Sequence, residues 1–274
     1  MTLIPAGTGP DRLRLSIIDY LNALPLNLAF KNGLFADRTE LVFDFPSVCA
    51  DRLAMGEVDG GLISSIEYQR IPDLQVAEGL GIASFREVKS VVILARQPLE
   101  TVKTLALDRF SRSSEALTRI LFQKMFHRQP QFFSMAPNLD EMLETCDAAL
   151  IIGDPALRID KRALQVYDLA GLWYELTQLP FVFAFWALRA EKAQAKWVHM
   201  LREARRYGQA HFAERLTEWS QRWHVAEDEL HRYLTQNIHY ELGEAERISL
   251  DRYYQMAYSC GLIPKPRPII WAKS

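Results

Sequence analysis

The amino-acid sequence predicts an α/β fold with largely parallel strands, on three observations. Strand-like and helix-like runs alternate through the first half of the chain. Polar, uncharged side chains collect where strand-like runs hand over to helices. Amphipathic helical patterns then follow one another towards the C-terminus. Of the 274 residues, 49% are hydrophobic, which is enough apolar material for one large core or two smaller ones.

The elements follow in order. "RLRLSII" (12–18) reads as a strand and "ALPLNLAFKNGLF" (23–35) as a helix ending near Gly33. "LVFDF" (41–45) is a second strand, and Pro46 and Ser47 open a helix with Ser47 as its expected N-cap. "GGLISS" (60–65) is a short buried strand, followed by a helix in "SIEYQRI" (65–71) capped by Ser64 or Ser65. "VKSVVILAR" (88–96) is a strand, and "SRSSEALTRILFQKMF" (111–126) a helix with serines at its start. Strand, helix and strand then follow in "QFFSMA", "NLDEMLETC" and "AALIIGD". Beyond Arg189, Phe212, Leu216, Trp219 and Trp223 fall at i, i+4, i+7 and i+11, the spacing of a core-packing helix stripe. "AEDELHRYLTQNIHY" (226–240) and "EAERISLDRYYQMAYSC" (244–260) add two helices, and the Pro-rich end, 263–274, is expected to lie extended on the surface.

Composition excludes several classes of function. A formal charge of −2 gives no electrostatic reason for nucleic-acid binding. The basic run "LREARRYGQAHFAERL" (201–216) is interleaved with acids, as on a solvated helix face. No apolar run approaches the roughly 18 residues of a membrane-spanning helix. The N-terminal stretch lacks the basic and apolar regions of an export signal. Cys49, Cys146 and Cys260 lie far apart without CxxC spacing, as buried reduced thiols do. A cytoplasmic protein is predicted.

Three junctions concentrate polar groups: Tyr20-Leu21-Asn22, Ser64-Ser65 and Ser113-Ser114. Free N–H groups at a helix start favour an anion, and such junctions gather at the carboxyl ends of strands in an open sheet. Serine is also a preferred helix cap, so each junction has a local reading beside the anion-binding one. The sequence holds no GxGxxG, Walker loop, HExxH or GxSxG. Its six histidines all fall outside the three junctions. Chemistry here would run on amides, hydroxyls and backbone dipoles, with no cofactor and no metal expected.

"YLNALP" (20–25), "ISSIEY" (63–68), "VKSVVILAR" (88–96), "LIIGDPAL" (150–157) and "LPFVFAFW" (179–186) stand in the order in which they occur in a known family. In these motifs the chain resembles the chorismate dehydratases of the futalosine route to menaquinone. The resemblance implies a two-lobed, type 2 periplasmic-binding-protein-like fold with two crossover strands and C-terminal helices. Lobe one would comprise residues 1–95 plus 190–274 and lobe two residues 96–182, with hinges near 91–97 and 181–189 and the ligand between.

The implied reaction removes water from chorismate, a small-molecule substrate with two carboxylates, to give 3-[(1-carboxyvinyl)oxy]benzoate. In that reading Ser64, Ser65, Ser113 and Ser114 hold the carboxylates, Tyr20 is a further substrate-binding residue and Asn22 is the catalytic residue beside the reacting carbons. With no histidine at the junctions, the base is either the substrate's own enolpyruvyl carboxylate or Asp19. Asp154 either contacts the substrate hydroxyl or caps its helix, Lys89 either neutralises a carboxylate or faces solvent, and Ser90 is a further binding candidate. Glu87 stands in "ASFREVKSV" (83–91) where relatives often carry a Gly-Pro pair, so the local turn departs from the family pattern. Two alternatives remain: a 1,4-dihydroxy-6-naphthoate synthase-like enzyme, for which His127 is the only second-lobe histidine, and a non-catalytic small-anion binding protein.

Overall fold

The computed structural model describes residues 12–159 and 163–274. The N-terminal stretch read above for an export signal lies outside the described residues up to position 11. The chain runs β1 (Leu13–Ile18), α1 (Leu24–Lys31), β2 (Thr39–Asp44), α2 (Pro46–Ala54), β3 (Gly60–Ser64), β4 (Leu74–Ser84) and β5 (Val91–Ala95). There follow β6 (Thr104–Asp108), α3 (Arg112–Lys124), β7 (Gln131–Met135), α4 (Leu139–Thr145), β8 (Ala148–Ile152), α5 (Asp154–Arg158), β9 (Gln165–Asp168) and α6 (Leu169–Thr177). The chain then continues through β10 (Phe181–Arg189), α7 (Ala195–His211), α8 (Leu216–Trp223), α9 (Glu227–Arg232), α10 (Glu244–Ser259) and β11 (Trp271–Ala272). Short 3-10 turns occupy Leu21–Ala23 and Ser65–Gln69.

Two sheets carry the fold. The first has the order β11-β4-β10-β3-β1-β2 and the second β7-β6-β8-β5-β9. β1 pairs parallel with β2 and β3, while β10 runs antiparallel between β3 and β4. In the second sheet β6 pairs parallel with β7 and β8, and β5 is antiparallel to β8 and β9. The chain therefore passes from the first sheet to the second between β4 and β5 and returns between α6 and β10. Residues 91–95, expected in lobe one, are β5 of the second sheet, and residues 181–182, expected in lobe two, begin β10 of the first. Of the expected hinge segments, 91–95 and 181–189 are strand, each with a neighbouring strand on both sides.

Apolar side chains from both faces of the first sheet are excluded from solvent, among them Leu15, Ile17, Leu62, Phe185 and Trp186. A smaller core around Val92, Leu94, Met142 and Ile151 lies on the second. Phe212, Leu216 and Trp219 are buried as the stripe predicts, although Phe212 sits in a 3-10 turn before α8. Cys49 and Cys146 are buried and Cys260 half-buried, and all are free.

The C-terminal end differs from the surface tail that its prolines predict. Trp271 and Ala272 pair with Val76 and Ala77 at the sheet edge, Arg267 N–H donates to Gln69 at 2.9 Å, and Tyr68 donates to the Pro268 carbonyl at 3.2 Å. Proline suits such an edge because it has no N–H to give.

Candidate functional site

A cleft opens where β1, β3 and β10 of the first sheet meet β5, β8 and the start of α3 from the second. Its polar lining is Tyr20, Asn22, Ser64, Ser111 and Ser114, and Ile18, Ile82, Val91, Ile152 and Phe183 supply apolar walls. No charged side chain and no imidazole is among the lining residues. Hydrophobic walls with a few converging polar groups are the usual make-up of a small-molecule site.

Tyr20 and Asn22 arrive together because β1 ends at Ile18 and the chain turns at once into the Leu21–Ala23 3-10 segment. Pro25 sits in the first turn of α1, where its fixed φ and missing N–H cost nothing. Buried Asn27 donates to the Ile18 carbonyl at 2.8 Å, tying the helix to the strand end. Ser111 is the N-cap of α3: its Oγ accepts from Ser114 N–H at 3.4 Å and donates to Ser114 Oγ at 2.7 Å. The serines expected to start this helix are thus its second and third residues, and Ser111, one turn earlier, takes the cap and a place in the cleft. Ser111 was hidden in the sequence as one more serine of "SRSSE". The 13-residue helix behind it directs its N-terminal dipole and free N–H groups at the cleft.

Five of the expected binding residues stand outside this lining. Ser65 donates to the Val182 carbonyl at 2.7 Å and lies 3.1 Å from the Ser113 hydroxyl, which also accepts from Ile66 N–H at 3.0 Å. Tyr253 and Tyr254 donate to the carbonyls of Ser113 and Ser65 at 3.0 and 2.7 Å. The pair is therefore buried behind the cleft as a polar joint between the sheets. Ser90 accepts from Tyr233 at 2.6 Å inside the protein. Lys89 has a left-handed backbone (φ 62), gives its N–H to Asp168 at 2.7 Å and directs its ammonium towards Glu87 at 3.9 Å. Asp154 accepts from Leu21 N–H at 2.9 Å, behind the turn that carries Asn22. The expected caps change as well. Ser47 is displaced by Phe45 at the N-cap of α2, and Ser64, at the N-cap of the next turn, makes no side-chain cap bond.

Asp19, one of the two candidate bases, is about half exposed and ion-paired to Lys31. His127 follows α3 with φ 52 and is not a lining residue. Two buried acids flank Tyr20. Burial pushes Asp108 up to about 6, against the lowering effect of the N–H groups of Phe110 and Ile152 and the charge of Arg109. Burial likewise pushes Asp154 up to about 6, opposed by Leu21 N–H. The Tyr20 phenol is raised by its own burial and then by those two carboxylates. Asp108 carried no sequence signal, because an acid ending a short strand is an ordinary cap.

Across Phe45 and Phe110 the sheets also meet as stacked rings, with centroids 4.4 Å apart and planes at 18°. Arg112 of α3 reaches Asp51 and Glu67 at 2.8 and 3.0 Å.

Over residues 13–259 the chain matches the sequence model of a family described as menaquinone biosynthesis. It is 30% identical over 258 residues to a chorismate dehydratase of Thermus thermophilus, covering 87% of this chain and 93% of that one. It is 32% identical over 187 residues to a chorismate dehydratase of Campylobacter jejuni, covering 66% and 70%. The periplasmic aliphatic sulphonate binding protein of Escherichia coli superposes with a TM-score of 0.66 at 19% identity, covering 97% and 94%. That likeness speaks for the fold alone. On a periplasmic-binding-protein-like scaffold of two sheets, this chain belongs to the menaquinone biosynthesis family.

Proposed function

We propose that this enzyme is a chorismate dehydratase, a hydro-lyase that converts chorismate to 3-[(1-carboxyvinyl)oxy]benzoate. The observation that carries the reading is the cleft lining: hydroxyls and one amide without a charged side chain, beside the N-terminus of α3. The two chorismate dehydratase relatives support it.

In this reading the two sheets belong to two lobes. Lobe one holds β1 to β4, β10, β11 and helices α7 to α10, lobe two holds the elements from β5 to α6, and the hinges are 85–90 and 178–180. Ser64, Ser111 and Ser114, with the N–H groups of α3, bind a substrate carboxylate. The C3–H bond breaks and its electron pair forms the new ring double bond. The C4–O bond breaks as hydroxide leaves, and proton and hydroxide depart together as water. Aromatisation drives the reaction forward, so the protein chiefly has to orient the substrate. The enolpyruvyl carboxylate, held beside C3, takes the proton and passes it to the departing hydroxyl oxygen, which leaves as water and restores the carboxylate; near-ideal intramolecular placement of this kind lowers a barrier by several kcal/mol. Asn22 donates a hydrogen bond to the leaving hydroxyl oxygen as negative charge builds on it.

Incubation of the purified protein with chorismate tests the reading. A rise in benzoate-type ultraviolet absorbance, with loss of one water by mass spectrometry, supports it. Chorismate that binds and stays unchanged would make the protein a small-anion receptor instead.

A further inference from the structure

The acid Asp154 comes from the second sheet, yet its hydrogen-bond partner belongs to the first. The Leu21–Ala23 turn begins with N–H groups that have no partner inside the helix, as every helix start does. A side chain at the N-cap usually supplies the acceptor. Here the N-cap is Tyr20, with extended backbone (φ −100, ψ 152), and its phenol makes no cap bond. Asp19, the nearest acid in sequence, is turned towards Lys31. The acceptor is Asp154 Oδ1, 133 residues along the chain, 2.9 Å from the Leu21 nitrogen.

The carboxylate is held in place by its own strand end. β8 stops at Ile152, and Gly153 turns the chain with φ 69 and ψ −154, a conformation that strains any side-chain-bearing residue. Gly153 N–H donates to the Ser90 carbonyl at 2.7 Å. A Cβ at Gly153 would stand 3.1 Å from the Tyr20 ring, so the ring packs directly on this backbone. Tyr20-Leu21 from the first sheet and Gly153-Asp154 from the second therefore interlock. Asp154 is 3% exposed and Leu21 5%, so the bond is made away from bulk water, where leaving a donor unpaired is costly.

We propose that Asp154 is a positioning residue: it caps, from the opposite sheet, the turn that carries Asn22, so that the amide is aimed at the cleft only while the two sheets are together. The kinetic arm of this proposal rests on the dehydratase reading, whereas its structural arm does not. The cap makes assembly of the site conditional on closure, because removing the second sheet strips the acceptor from the turn.

The test uses Asp154→Ala, which removes the acceptor, and Asp154→Asn, which keeps an acceptor oxygen in place without charge. Steady-state kinetics with chorismate and hydrogen exchange of the Leu21 amide are read on the full-length protein. For Asp154→Ala the expected result is a kcat lower by roughly ten- to a hundredfold with KM changed by less than about threefold. Leu21 exchange is expected to be faster by roughly tenfold. Asp154→Asn is expected to restore most of both. Wild-type kcat and wild-type exchange in Asp154→Ala would overturn the proposal. An equal kcat loss in both variants with exchange unchanged would also overturn it, by making the charge itself the contribution. If Asp154→Ala does not fold, Asp154→Asn decides: slow Leu21 exchange supports the cap, fast exchange removes it. If the wild-type protein leaves chorismate untouched, the reaction falls, and the exchange measurement still judges the cap.

Discussion

Asn22 is the residue on which the proposed chemistry turns, and its surroundings say what its loss should do. It lines the cleft from a two-turn junction fixed by Pro25, Asn27 and Asp154, so truncation removes the amide without unfolding the strand end. Asn22→Ala is expected to lower kcat by about a hundredfold, the loss seen when a donor to a developing anion is deleted, with a small change in KM. Steady-state assay with chorismate checks it, and unchanged turnover would remove Asn22 from the mechanism. Ser114→Ala should act on binding instead, raising KM by roughly ten- to a hundredfold, as loss of one hydrogen bond to an anion does. Tyr20, Asn22, Ser64 and Ser114 were legible as strand-end polar groups that share a cleft. Ser65 and Ser113 carry the same pattern, but adjacent residues point different ways, and which serine of each pair faces the cleft depends on the turn that follows.

The junction after β1 depends on how closely α1 lies against α7. A Cβ placed on Gly208 of α7 would come 2.1 Å from the Pro25 carbonyl oxygen, so the helices touch backbone to backbone. Gly208→Ala must push α1, and the Asn22 turn that feeds it, away from α7. A loss of about 1–3 kcal/mol is expected from such overpacking, seen as a lower urea midpoint, together with reduced kcat. The alternating runs made most elements visible, and a strand buried on both faces, such as β10, reads as one long apolar run even where its pairing is antiparallel. β4 was not legible because Gly79 and Gly81 interrupt it, with Gly79 at φ 76. β9 was missed because a strand of four residues gives too few alternations to register.

Across the whole molecule, pH should act through the two buried acids between the sheets. Asp108 and Asp154 both hold their protons more tightly in the folded state, up to about 6, because burial disfavours the charged form. Their contribution to stability is therefore fully present below the ordinary carboxylate range and is lost as pH rises through about 6. For Asp108 alone the swing is on the order of 3 kcal/mol. Asp59, Glu78 and Asp147 work the other way. Arg14 and Arg247 hold the first two below their usual range, and the N–H groups of Lys103 and Thr104 do so for Asp147, so these three lose their contribution only as pH falls through lower values. Asp108→Asn, which cannot ionise, is expected to flatten the fall in urea-derived stability between about pH 4 and pH 7. An unaltered pH profile would show that Asp108 does not titrate there. Among the described residues no helix is long and apolar enough to cross a membrane.

Local physics alone settled the α/β alternation, the C-terminal helices and the strand ends where polar groups stand, because periodicity and turn chemistry act within a few residues. The order of motifs carried the family resemblance. Which sheet owns β5 and β10, why 263–274 is strapped to β4, and why Asp154 serves Leu21 are matters of long-range pairing. Those contacts join residues far apart in the chain, 133 positions for Leu21 and Asp154 and 202 for Tyr68 and Ile270, where no local pattern links them.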